Sequence, residues 1–159
     1  MRQEFSRIRD AHRSLRHAAH WLRICPEYDV SDAYVAVMKA AEHSFALEHD
    51  FMDRLSFPAN RCHLEQHARV LRALHCLHPA VLDGATGTGR RVGGQLLIEW
   101  FQLHTETLDT AVFVWASCCG ESLMDELHRR YGFTEGPYCA GTGAGVVGTA
   151  SAFGNRTHN

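Results

Sequence analysis

Residues 60–77 read NRCHLEQHARVLRALHCL, and the spacing of two histidines within this stretch decides how the chain folds. His63 and His67 are about one helical turn apart, so on a helix both imidazoles leave the same face. Val70, Leu74 and Leu77 continue that stripe, which is the one such a helix buries. Histidines on a buried stripe need partners inside the protein, and a metal ion satisfies two at once. Other ligand-bearing elements must therefore face this helix.

Three further helical patterns are available to do so. The first spans about Arg2 to Ile24, with Ile8, His12, Leu15, Ala19 and Leu22 on one face. It stops ahead of Cys25-Pro26, because proline disfavours helix at the residue before it. Ser31 or Asp32 caps a second helix that reaches about Leu55. Its inward face carries Val37, Ala41, Ser44 or Phe45, Glu48, Met52 and Leu55. Ser56-Phe57-Pro58 is a short connection and implies an antiparallel neighbour.

After the third helix, His78-Pro79 and residues 83–89 form a looser loop. Gly87-Thr88-Gly89 within it is no phosphate-binding loop, since it follows a helix and lacks the Lys-Ser/Thr pair. The fourth helix spans about Arg91 to Trp115, with Leu97, Trp100, His104, Leu108, Ala111 and Trp115 inward. A short fifth helix is expected over Glu121–Tyr131. The expected fold is all-α: an up-down-up-down four-helix bundle over residues 1–116, then a short C-terminal helix and a Gly-rich tail over 117–159.

Composition narrows the function. At 159 residues and 45% hydrophobic, the chain can bury one core. A net charge of −2 gives no electrostatic case for nucleic acid or an anionic membrane as partner. The outlier is histidine, with 12 residues, half of them expected in ordinary surface or capping roles. His17, His20 and His49 lie off the inward stripes, and His75 and His78 suit the C-terminal end of the third helix. The 6 cysteines form no C-x-x-C, and Cys62 and Cys76 read as small buried hydrophobes. The start MRQEFSRIRD lacks the apolar core of a signal peptide, and no long apolar run occurs, so a cytoplasmic protein with reduced thiols is expected.

Each helix carries a metal-ligand type on its inward side: His12 on the first, Glu48 on the second, His63 and His67 on the third, His104 and Asp109 on the fourth. Inward carboxylates are costly unless paired or metal-bound. Four imidazoles and two carboxylates suit two iron ions, with imidazoles terminal and carboxylates bridging. A single zinc ion would leave two polar groups without a partner. His104 and Asp109 are five apart and share an ideal α-helical face poorly; a carboxylate bridging further along the cluster, or a local π-bulge, resolves this.

These residues resemble the hemerythrin-like family of non-heme di-iron proteins. Ile8-Arg9-Asp10-Ala11-His12-Arg13-Ser14-Leu15 is similar to the family's I-x-D-x-H-x-x-L. Phe45 to Met52, followed by Phe57-Pro58, resembles H-F-x-x-E-E-x-x-M and the Y-P after it. His63 to His67 matches H-x-x-x-H, and Trp100 to Asp109 matches W-x-x-x-H-x-x-x-x-D. The resemblance covers about residues 8–116. It implies an oxo- or hydroxo-bridged pair of iron ions, one with an open position for oxygen or a small anion. By the same resemblance His63, His67 and His104 hold one iron, Glu48 and Asp109 bridge, and His12 holds the other.

The chain departs from the family where a histidine is expected four residues before the bridging Glu48. Ser44 stands there, with His43 beside it. Either a helix irregularity brings His43 in, or the second iron loses a ligand and takes water. The expected ligand set is His12, His43, Glu48, His63, His67, His104 and Asp109. A fully ligated site favours oxygen binding, storage or sensing. A site lacking a histidine favours peroxide chemistry or a labile metal. The alternative to a binding protein is a di-iron enzyme with peroxidase-like or nitric-oxide-directed chemistry, or an iron donor for repair. A helical bundle whose histidines bind no metal is the third possibility. No catalytic residue is assigned, and no protein partner is indicated.

Overall fold

Helix α1, Arg2–Ile24, buries the stripe its periodicity sets out: Ile8, Ala11, His12, Leu15, Ala19 and Leu22 are inside. The coordinates are a computed structural model, in which residues 2–118 are described. The short fifth helix and Gly-rich tail expected beyond Cys118 lie outside the described residues. Within them the chain is all-α, with four long helical runs and no strand.

A single 3-10 turn, Glu27–Asp29, leads into helix α2, Val30–Arg54. The helix starts slightly earlier than its Ser31 or Asp32 signal, and Asp29 at its N-cap makes no side-chain capping bond. Burial of Val30 and Ala33 fixes the start instead. Ser56, with φ 47, turns the chain after α2.

Helix α3, Asn60–Leu82, runs on through Pro79, where the sequence suggested a stop. The reason is packing. Val81, two residues beyond the proline, is fully buried against the fourth helix, which offsets the lost backbone hydrogen bond. Gly84, with φ 99, then ends α3.

The expected loop over 83–89 is correspondingly short, and a continuous fourth helix occupies 86–118. Thr86–Gly89, Leu97–His104 and Thr110–Cys118 are α-helical. Arg90–Leu96 and Thr105–Asp109 between them are π-helical. Glycines allow its close approach to α1 and α2. A Cβ on Gly93 would come within 2.9 Å of both Leu22 Cδ2 and Tyr34 Cε2, and one on Gly94 within 3.3 Å of the Ala19 carbonyl.

The apolar core falls into two clusters. One gathers Leu15, Leu22, Tyr34, Val37, Phe45, Leu74, Val81 and Phe101. The other gathers Ile8, Phe51, Met52, Val112 and Ala116. His12, Glu48 and the pair His104 and Asp109 fall between members of the two clusters on their respective helices. A buried polar layer thus separates two apolar ones.

Candidate metal centre

The π-helical segment Thr105–Asp109 sets the geometry of the fourth helix. Hydrogen bonding to the fifth residue inserts one extra residue into the helix. His104 and Asp109 therefore both face inward, and the buried positions beyond them are Asp109, Val112 and Ala116. The α-helical expectation of Leu108, Ala111 and Trp115 is displaced by one residue. Ala111 is exposed, while Leu108 and Trp115 are only half-buried.

Six polar side chains from the four helices converge: His12, Glu48, His63, His67, His104 and Asp109, all buried. Their ligand atoms form two groups, Glu48 with His63, His67 and His104, and Glu48 with His12 and Asp109. Glu48 belongs to both. Its Oε1 lies 2.7 Å from His12 Nε2. Its Oε2 lies 3.4 Å from His63 Nε2, 3.1 Å from His67 Nε2 and 3.7 Å from His104 Nε2.

Asp109 divides its oxygens in the same way. Oδ1 is 3.3 Å from His63 Nε2 and 3.1 Å from His104 Nε2, while Oδ2 is 3.7 Å from His12 Nε2. Each carboxylate thus offers one oxygen to each group.

These contacts do not satisfy the cluster by themselves. Glu48 Oε2 and both Asp109 oxygens are buried without a hydrogen-bond partner among the described residues. His67 Nε2 lies 3.1 Å from His63 Nε2 and 2.9 Å from His104 Nε2, so three nitrogens converge on one another. Buried carboxylates left this way cost several kcal/mol, of order the desolvation of an ion, and a cation at the point of convergence offsets that cost. The donors fit a metal ion, and imidazole with carboxylate suits iron and other transition metals.

Ring packing, rather than hydrogen bonding, orients the imidazoles. The Nδ1 atoms of His63, His67 and His104 are buried without hydrogen-bond partners among the described residues. Phe45 stacks on His67 with centroids 3.9 Å apart, and Trp100 stacks on His104 at 4.5 Å. Phe101, which sequence reasoning did not single out, sets its ring 5.0 Å from that of His12, edge to face. Its place one turn before His104 was the available signal.

Charge follows the geometry. Burial pushes the Glu48 carboxyl up, but the facing imidazoles of His104, His12, His63 and His67 outweigh it and hold it well below the usual range. Burial lowers His63 and His104, yet the Asp109 and Glu48 carboxylates prevail, raising His63 and bringing His104 to about 9. At His67 burial wins over Glu48, and the imidazole is lowered.

One residue of the expected ligand set does not join the cluster. His43 is exposed on α2, and no helix irregularity turns it inward. Ser44 occupies the buried position instead, its Oγ donating to Glu48 Oε1 at 3.3 Å. The physical reason is the regular α-helical rotation, which leaves His43 and Ser44 about 100° apart.

The remaining histidines among the described residues stand apart from the cluster. His17 and His20 are exposed, His49 pairs with Asp53 and His75 with Glu42, and His78 is half-buried and stacked on Tyr34. Among the cysteines, Cys76 is exposed rather than buried, and half-buried Cys62 is disulfide-bonded, so the reduced-thiol expectation does not hold there.

Compared with known proteins, the chain matches no family model, no curated protein and no solved structure. No helix among the described residues is long and apolar enough to cross a membrane.

Proposed function

We propose that this is a hemerythrin-like, non-heme di-iron protein that binds oxygen or a small anion. The observation that carries the reading is the division of Glu48 and Asp109 between two groups of imidazoles. One carboxylate oxygen toward each group is the arrangement expected of two bridging ligands. In this reading His63, His67 and His104 hold one iron, His12 holds the second, and an oxo or hydroxo group completes the bridge. The helices run up-down-up-down, as their short connections suggest. Such a pair of ions supplies an open coordination position for the ligand.

The surroundings suit a small ligand. A cavity of about 10 Å³ adjoins the cluster, lined by Glu48, His63 and Asp109 and by apolar Ile8, Phe51, Val112 and Phe113. That is room for one water-sized molecule. The apolar wall excludes bulk water, while the carboxylates and His63 offer hydrogen-bond partners to an incoming small molecule.

One observation favours a second reading. Ser44 in the buried position leaves His12 as the single imidazole of its group. Extra open coordination there favours peroxidase-like or nitric-oxide-directed chemistry, or donation of iron, over reversible oxygen carriage.

The test is an aerobic preparation of the full chain analysed for metal and for near-ultraviolet oxo-bridge absorption. About two irons per chain, as the paired carboxylates imply, supports the reading. A folded chain that takes up no iron overturns it. Reversible bleaching on oxygen cycling indicates binding, and irreversible bleaching with peroxide turnover indicates an enzyme.

A further inference from the structure

We propose that the protein carries a second ligand site, a hollow near the start of the fourth helix that binds a small phosphate-bearing anion through Arg23, Arg90 and Arg91. The ligand class is a pyrophosphate or a phosphate monoester. None of the residues lining the hollow belongs to the buried metal cluster, so the two sites are separate.

The cavity has a volume of about 380 Å³, which falls in the range of small-molecule pockets. Arg23 of α1 lines it together with Gly87, Arg90, Arg91, Gln95 and Leu96 of the fourth helix, and no carboxylate does. Arg23 and Arg91 are exposed and make no hydrogen bond or ion pair among the described residues. Helix α1 carries six arginines against Glu4 and Asp10, so the local field is positive in a chain of net charge −2. Guanidiniums gathered on one hollow repel one another, and an anion seated among them turns that repulsion into attraction.

Two of the three arginines are held in place by the fold. Arg90 donates from Nη1 to the Leu22 carbonyl at 2.8 Å and from Nη2 to the Cys25 carbonyl at 2.7 Å. Its Nη2 also lies 3.4 Å from Glu27 Oε2, and Thr86 donates to the other Glu27 oxygen. Glu27 is therefore already engaged. The stem of Arg23 lies against the fourth helix at Gly94, where an added Cβ would come within 2.6 Å of Arg23 Cγ. Glycine at this position lets the side chain lie along the helix that carries Arg90 and Arg91.

The donors select the ligand. A guanidinium presents paired N–H groups that match two oxygens of a phosphate, which a sphere of charge does not require. Two arginines without a partner suit a ligand with at least two negative charges. Leu96, 44% exposed at the edge of the hollow, offers apolar contact to the carbon part of an ester.

The experiment is calorimetric titration of the full chain, both metal-loaded and stripped with chelator. The probes are inorganic pyrophosphate, phenyl phosphate, inorganic phosphate and sulfate. One pyrophosphate or one phenyl phosphate should bind per chain in both forms, about tenfold or more tighter than sulfate, as one additional charge-assisted hydrogen bond implies. The tighter of the two identifies diphosphate or monoester as the class. Arg23→Ala and Arg91→Ala should each weaken binding by about tenfold or more and leave metal content unchanged. Both side chains are exposed, and circular dichroism checks that the variants fold. Arg23→Lys keeps the charge without the fork and should not restore the affinity.

Absence of saturable binding at millimolar probe would overturn the proposal, as would affinity indifferent to Arg23→Ala and Arg91→Ala. Equal affinity for sulfate and both phosphate probes would reduce the hollow to a non-selective basic patch. Binding seen only in the metal-loaded form would place the anion on the metal instead. A chain that takes up no iron refutes the di-iron reading and leaves this site standing, because the stripped form tests it alone.

Discussion

Asp109 Oδ1 lies 3.1 Å from His104 Nε2 although five residues separate the two in sequence. The π-helical segment between them accounts for the contact, and it is an insertion that a deletion can reverse. Removing exposed Thr107 should return the segment to ordinary α-helix with His104 and Asp109 four apart, still on one face. Helical content and metal uptake should survive. Inserting an alanine after Thr107 should instead rotate Asp109 away and reduce the metal retained. Circular dichroism and metal analysis of the two variants read this directly. Loss of metal from the deletion variant with helix content intact would show that the π segment itself is required.

Glu48 faces four imidazoles, and His43 faces solvent. Glu48→Gln should weaken metal retention by about 100-fold or more, since even outer partners of a metal site are worth about 10–100-fold. His43→Ala should leave the metal content unchanged. Halving of the metal by His43→Ala would restore His43 as a ligand.

The raised His104 imidazole gives the metal-free chain a pH dependence of definite sign. Its folded value, about 9, lies above the ordinary imidazole value of 6.5, so its contribution to stability is complete below 6.5. That contribution is lost as pH rises through about 9. A metal ion needs the same imidazole without its proton, so metal affinity should rise over this window by about tenfold per pH unit for each proton released. The melting temperatures of metal-free and metal-loaded chain should therefore diverge as pH is raised. Glu48 acts at the other end, because its carboxylate is held well below the usual range. Its stabilisation is present above about 4.5 and lost as pH falls through the lower folded value.

Glycines of the fourth helix separate by environment. Gly93→Ala puts a Cβ 2.9 Å from Leu22 and Tyr34 side chains and should cost about 1–3 kcal/mol, the usual range for overpacking. Gly87 has nothing within 4 Å of the same added atom and needs no positive φ. Gly87→Ala should stabilise by about 0.5–1 kcal/mol through the unfolded chain. Thermal melts of the two variants should move in opposite directions.

Sequence periodicity determined the four helices, the buried stripe of α1 and the inward placement of Glu48, His63, His67 and His104. These are local consequences of apolar spacing, and an ideal helix suffices to read them. Tertiary structure decided the rest. The run of α3 through Pro79 depends on a core that receives Val81. Residues beyond Asp109 face inward at Val112 and Ala116 because of an inserted residue that no propensity marks. The choice of Ser44 over His43 depends on α2 staying regular through residue 44, and regularity is secured by packing on both sides of it. Sequence could name the six converging side chains, but which carboxylate oxygen meets which imidazole is a property of four helices fixed against one another.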